Sequence, residues 1–483
     1  MSASDSAETS NTRYERQLAT VRDELLAAQQ RLQRSKSFAL LVIVTGVPTA
    51  GRSEIVNDML EWLDPKHIRV HAFDEEDAMQ RPVMWPYWNA LPPAGTMGFY
   101  FLGWYGDYLR SALHRPKKSK QEVTRIIARI CQMEAMLPKD RVRVLKLHLT
   151  VPETLQRERL AELRADKLTR WRVTKEEQWL VKHHDRVDRA YARIIEATGH
   201  AIGWHIVDGR DPRARALTAA KLVLGELERR AEPKPMAVPI RTKPSKAKPL
   251  RSQSAGRMDD DGYDRELEVL KGRFALLARR QRFKRHGAVF AFEGMDAAGK
   301  GGAIRRLTSA LDARQYAVVP VSAPTAEEGF FPYLWRFWKN IPRRGEIAIF
   351  DRSWYGRVLV ERVRDLTPRE DWQRAYDEIR EFELQLAEHG FIVHKFWLQV
   401  SEDEQLKRLQ ARDNDRLKRY KVDPEDWENR RFYDQYQLAA HEMIQRTDSE
   451  YAPWTVVEAD DKKYARLKVL RRVCEAVEKR LDE

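Results

Sequence analysis

Glu293-Gly-Met-Asp-Ala-Ala-Gly-Lys-Gly-Gly302 follows the apolar run Ala288–Phe292 and precedes the helical pattern Ala303–Leu311. Strand, glycine-rich loop and helix in that order form the setting that a phosphate-binding loop requires. Glycines let backbone N–H groups turn toward phosphate oxygens, the helix N-terminus adds a favourable dipole, and Lys300 can reach the phosphoryl group in flight. Gly294 to Lys300 satisfies the pattern G-x-x-x-x-G-K, and Gly294, Ala297, Ala298, Gly299, Gly301 and Gly302 are the candidate cradle for phosphate. A glycine-rich turn before a helix is the plain structural alternative, so the surrounding residues decide. Gly301 stands where a Ser or Thr normally helps to hold Mg²⁺. Asp296, inside the loop, and Asp351, directly after the apolar strand Glu346–Phe350, are the candidate metal ligands instead. A turn cap is the alternative reading of Asp351.

Farther on, Leu406–Tyr420 carries Lys407, Arg408, Arg412, Arg416, Lys418 and Arg419, with Lys421 next. On a helix, Arg408, Arg412 and Arg416 share one face. A solvated basic face has the same composition. The position after the fourth strand, where lid segments of P-loop kinases approach their phosphates, favours a mobile basic lid, with Arg408, Arg416, Lys418 and Lys421 as phosphate ligands. The aromatic run Gly329–Trp338 reads as core, with Arg336, and Arg357 beyond Asp351, as nucleotide contacts. No clustered cysteines and no Gly-x-Ser-x-Gly elbow point to zinc or acyl-enzyme chemistry.

The rest of the chain is consistent with such a site. Its 483 residues include 42% apolar side chains, enough for real cores, and exclude wholesale disorder. No run approaches the ~18–20 apolar residues of a membrane span, and the first residues lack the basic-then-apolar order of a secretory signal, so the expected address is cytoplasmic. Cys131 and Cys474 read as lone buried thiols. With 87 Lys+Arg against 73 Asp+Glu, the net charge of +14 favours polyanionic partners without choosing among nucleic acid, phospholipid, nucleotide and polyphosphate.

The chain matches itself at an offset of about 249–250 residues. Tyr14-Glu-Arg-Gln-Leu18 faces Tyr263-Asp-Arg-Glu-Leu267, Trp104-Tyr105-Gly106 faces Trp354-Tyr355-Gly356, and Trp204–Val207 faces Trp454–Val457. Strand-like runs recur in both copies: Phe38–Val44, Ile68–Phe73, Thr96–Phe101, Val142–Val151 and Gly203–Val207, then Ala288–Phe292, Tyr316–Val321, Glu346–Phe350, Phe391–Val400 and Trp454–Glu458. Alternation with helical stretches predicts an α/β fold, each copy a parallel sheet flanked by helices; with the glycine loop and the basic segment added, the expectation is two tandem P-loop kinase-like domains with a helical lid. The expected boundaries are 13–229 and 258–482, joined by a Pro/Lys/Arg-rich linker at 230–257.

Gly294–Gly302, Asp351-Arg-Ser-Trp-Tyr355 and the arginine-rich lid resemble the polyphosphate kinase 2 family, and the duplication resembles its two-domain class II branch. That resemblance implies Mg²⁺-dependent, reversible phosphoryl transfer from inorganic polyphosphate to AMP, giving ADP. It carries the catalytic set onto Asp296, Lys300, Asp351, Arg352 and Arg412, and allows a homo-oligomer; neither nucleic acid nor membrane is expected as a partner. In the first copy Pro48 stands opposite Asp296, Arg52 opposite Lys300, Phe101 and Leu102 opposite Asp351 and Arg352, Pro86 opposite Arg336, and Leu163 opposite Arg412. The first domain is therefore expected to be catalytically silent. Two alternatives stay open at this level: an ATP-dependent nucleoside monophosphate kinase and a non-catalytic polyanion-binding scaffold.

Overall fold

A computed structural model describes residues 3–73, 80–114, 119–230, 260–416 and 424–483, with side chains in the first helix from Thr12 onward. The proposed linker beyond Arg230, together with Lys418 and Lys421, lies outside them.

Each copy builds one five-stranded, wholly parallel sheet. In the first, β1 (Ala39–Gly46), β2 (Ile68–Ala72), β3 (Met97–Phe101), β4 (Val142–Thr150) and β5 (Trp204–Asp208) lie in the order β2-β3-β1-β4-β5. In the second, β6 (Gly287–Gly294), β7 (Tyr316–Pro320), β8 (Ile347–Asp351), β9 (Phe391–Gln399) and β10 (Trp454–Glu458) repeat that order from the opposite edge, β10-β9-β6-β8-β7. The central strands are buried along nearly their whole length because helices cover both faces, so they read as continuous apolar runs. The outer strands β2 and β7 keep exposed positions, such as Val70 and Val318. The order of strand addition reverses beside β6, and in such sheets ligands bind beyond the carboxyl ends of the strands at that switch point. Long helices close each sheet: Ala3–Ser35 packs with Pro212–Glu228, and Asp260–Arg279 with Lys462–Asp482.

The duplication extends to a buried ionic network. Lys395 Nζ donates to Glu383 at 2.7 Å and to Thr447 O at 2.8 Å, while Trp354 Nε1 and Tyr355 Oη donate to Glu383 Oε1 at 3.0 and 2.7 Å. In the first copy, Lys146 donates to Glu134 and Thr198 O, both at 2.8 Å, and Trp104 and Tyr105 donate to Glu134. Both ion pairs are fully enclosed. A charge in a core is tolerable only when paired and hydrogen-bonded, and here each carboxylate meets three donors.

The compact units are not simple halves. One comprises Met1–Asp74, Pro86–Val238 and Pro324–Trp335; the other comprises Glu75–Trp85, Pro239–Ala323 and Arg336–Glu483. The aromatic run read as core is largely buried, with Phe331, Trp335, Phe337 and Trp338 all under 9% exposed.

Candidate active site

The loop after β6 is shaped by backbone conformations that its glycines permit. Gly294 has φ 147°, and a Cβ there would lie 2.5 Å from the Leu398 carbonyl of β9, so the loop can leave the sheet only without a side chain. Gly299, at φ 106°, caps the helix Lys300–Thr308. Arg408, only 4% exposed, ties the loop down from beneath. Its guanidinium donates to Ala297 O and Ala298 O at 3.2 Å, to Ala459 O at 2.7 Å and to Asp460 O at 2.8 Å.

Above the loop lies a cavity of about 550 Å³, lined by Asp296–Gly302, Arg305, Arg306, Ser322, Asp351, Arg352, Arg412, Asp426 and Arg466. Lys300 Nζ donates to Gly294 O at 2.7 Å. Burial draws its ammonium below the ordinary lysine value, Asp296 acts against this, Arg352 with it, and Asp351 and Glu293 against it again. Asp296 is held at both oxygens, by Arg352 Nη2 and Asn429 Nδ2, each at 2.9 Å. Burial lowers the Arg352 guanidinium, but Asp296, Glu293 and Asp351 together leave it raised. Asp351 ends β8, and its carboxylate has no hydrogen-bond or ion-pair partner among the described residues. Mg²⁺ takes oxygen ligands and keeps several waters, so that unengaged carboxylate fits the ion, whereas Asp296 already serves two donors.

The structure thus brings Asp296, Lys300, Asp351, Arg352 and Arg412 together with the loop glycines and alanines. Arg408 is not among the cavity-lining residues: its donors go to four backbone carbonyls and to the Glu404 carboxylate, where it braces the loop. The shared arginine face also stops short, since the helix ends at Asp413 and Arg416 lies beyond it, exposed and away from the cavity lining. Arg357 is drawn into the ion pair with Glu361 at 2.9 Å and the bond to Thr367 at 3.1 Å, away from the cavity lining. Arg336 donates to the carbonyl of Ser322, which lines the cavity, at 2.9 Å.

Sequence reasoning missed Arg305, Arg306, Asn429 and Arg466. Arg305 and Arg306 lie on the helix that Lys300 opens, so helical spacing from the loop could have flagged them. Asn429 and Arg466 come from distant segments with no local signal.

The first copy repeats the backbone and not the chemistry. Gly46, Thr49, Gly51 and Leu102, at φ 149°, 61°, 98° and 60°, match Gly294, Ala297, Gly299 and Arg352 at 147°, 60°, 106° and 63°. Arg159 braces this loop as Arg408 does, donating to Thr49 O and Gly209 O at 3.0 Å and to Arg210 O at 2.7 Å. Over Gly51, however, lies the buried guanidinium of Arg215, whose Nη1 would be 2.1 Å from a Cβ there, whereas nothing comes within 4 Å of the equivalent point at Gly299.

Comparison with known proteins agrees with this geometry. The chain is 40% identical over 475 residues to a polyphosphate:AMP phosphotransferase of Pseudomonas aeruginosa, covering 96% of each chain. It is 34% identical over 467 residues to one of Acinetobacter johnsonii, covering 93% of this chain and 94% of that one. A crystal structure of polyphosphate kinase 2 type from Pseudomonas aeruginosa PA01 superposes with a TM-score of 0.83 at 37% identity, covering 98% of this chain and 96% of that one. The sequence model of Polyphosphate kinase 2 matches residues 8–235 and 257–483, one match on each copy, and with both halves so matched the chain belongs to that family.

Proposed function

We propose that this chain transfers a phosphoryl group reversibly from inorganic polyphosphate to AMP, giving ADP, within the second copy. The carrying observation is the cavity in which Lys300, Asp351, Arg352 and Arg412 surround the glycine loop, in a chain 40% identical over 475 residues to a polyphosphate:AMP phosphotransferase.

The chemistry follows from charge. A nucleotide phosphate has its last pKa near ~6, so AMP arrives anionic and asks little of a general base. The obstacle is repulsion between donor and acceptor, and catalysis is chiefly positioning and electrostatic stabilisation. Loop N–H groups and the helix N-terminus hold the polyphosphate end, Lys300 meets the transferring group, and Arg352 and Arg412 offset charge spreading over its oxygens. Mg²⁺, held by Asp351 with Asp296 beside it, would neutralise further phosphate charge when bound. In the first copy the absent acids and the Arg215 guanidinium over Gly51 support a silent domain.

Incubation with Mg²⁺, long-chain polyphosphate and AMP, ADP or GMP separately, with ATP as control donor, tests the reading. Chromatography should show ADP from AMP with polyphosphate only, and none from Lys300→Ala. Product with ATP only would make the chain a nucleotide kinase. A purified 1–230 fragment with turnover comparable to the whole chain would overturn the silence of the first copy.

A further inference from the structure

One carboxylate near the cavity, whose charge bears on Lys300 and Arg352, has no assigned role in the transfer above. Glu293, the penultimate residue of β6, is 5% exposed, and its Oε1 accepts a hydrogen bond from Ser353 Oγ at 2.7 Å. Ser353, itself 1% exposed, also accepts from the Tyr355 amide at 3.3 Å and thereby caps the turn Trp354–Arg357. The pair spans two strands: Glu293 precedes the phosphate loop, and Ser353 follows Asp351 and Arg352.

The turn it reaches is strained. Arg352 sits at φ 63°, a left-handed conformation that is unfavourable for a non-glycine residue and persists only where its surroundings impose it. One restraint is the Arg352 amide donating to Phe292 O at 3.0 Å. The first copy has that same restraint, from the Leu102 amide to Val44 O at 3.0 Å, and the same left-handed backbone. It lacks the side-chain bond. Thr45 replaces Glu293 and turns instead toward β4, bonding Leu147 O at 3.2 Å and His148 Nδ1 at 2.9 Å, and Gly103 replaces Ser353. The Glu–Ser link therefore occurs only in the copy that retains Asp296, Lys300, Asp351 and Arg352. A fold-stabilising role alone would call for it in both.

We propose that Glu293 is a positioning residue, whose hydrogen bond to Ser353 sets the Asp351–Arg352 turn in register with the phosphate loop so that Asp351 and Arg352 face Lys300. The bond is short and shielded from water, which strengthens it. A displacement near 1 Å in such a site costs roughly 100-fold in rate. This inference rests on the phosphotransferase reading, but it concerns the geometry of the site, whatever the donor.

The experiment compares wild-type protein with Ser353→Ala, Glu293→Ala, Glu293→Gln and the double alanine variant. It records kcat, the KM values for AMP and polyphosphate, and melting temperature. Loss of the bond should lower kcat by about 10- to 100-fold in either alanine variant, with both KM values within roughly threefold of wild type. The double variant should be no worse than the worse single variant. Glu293→Gln, whose amide oxygen still accepts from Ser353, should recover most of the rate. Ser353→Ala at wild-type kcat, or Glu293→Gln as slow as Glu293→Ala, would overturn the proposal in favour of a structural or purely electrostatic role. Should Glu293→Ala fail to fold, the near-isosteric glutamine and Ser353→Ala variants still decide it. Should wild-type protein use ATP alone, the same ratios read with ATP test the pair, which separates its failure from failure of the polyphosphate reading.

Discussion

Arg352 and Asp296, 56 positions apart in the chain, meet at 2.9 Å, guanidinium to carboxylate, at the mouth of the phosphate loop. The contact orients a loop acid that Asn429 grips from its other side. It also keeps the arginine extended over the cavity. Arg352→Lys preserves charge and loses the rigid fork, so kcat should fall about 10- to 100-fold. In a double-mutant cycle, Asp296→Ala and Arg352→Ala should be clearly non-additive in kcat/KM. Strict additivity would mean that the two act separately.

Lys300 sets a pH limit. Its ammonium must stay protonated to meet the transferring group, and burial places its pKa below the ordinary 10.5. As pH rises through that lowered value the neutral amine accumulates, so the rate should fall on the alkaline side of the profile before free lysine would titrate. A profile of kcat/KM that stays flat up to about 10.5 would contradict this.

The duplicated ion pairs are predicted to hold up each copy separately. Lys395→Ala strands Glu383 in the core, and Lys146→Ala strands Glu134. Each should destabilise by about 3–5 kcal/mol in chemical denaturation. Glu383→Leu with Lys395→Met, which removes both charges, should cost much less than Lys395→Ala alone. An equal cost would show that packing rather than desolvated charge controls the site.

Arg408 and Arg159 offer a matched comparison. Arg408→Ala leaves Ala297, Ala298, Ala459 and Asp460 carbonyls without its donors and loosens the phosphate loop. Both melting temperature and kcat should drop, at ~1–3 kcal/mol for each buried group left unsatisfied. Arg159→Ala should lower stability through the first copy and leave kcat within about threefold. A comparable loss of kcat from Arg159→Ala would mean that the first loop participates in turnover.

Much of the site was legible because phosphate binding demands local chemistry. A loop such as Gly294–Lys300 needs glycines at particular left-handed positions, and those survive in the string of residues as a spacing. Asp351 was visible for a related reason, since a charge closing an apolar strand is costly without a ligand. For Arg408, helical spacing reveals which residues share a face and not what that face meets. Its neighbours proved to be carbonyls of the loop itself.

The amino-acid sequence alone determined the duplication, the alternation of strand and helix, the phosphate loop and the loss of its acids in the first copy. These depend on residue type, turn chemistry and period, all short-range properties of the chain. Only the tertiary structure decided which charges face the cavity and which are spent internally: Arg412 and Arg466 on one side, Arg408 and Arg357 on the other. It also revealed Arg215 over Gly51 and Glu293 bonded to Ser353. A side chain's partner is set by where distant strands and helices bring its tip, and hydrogen bonds and ion pairs act over a few ångströms in space, whatever the separation along the chain.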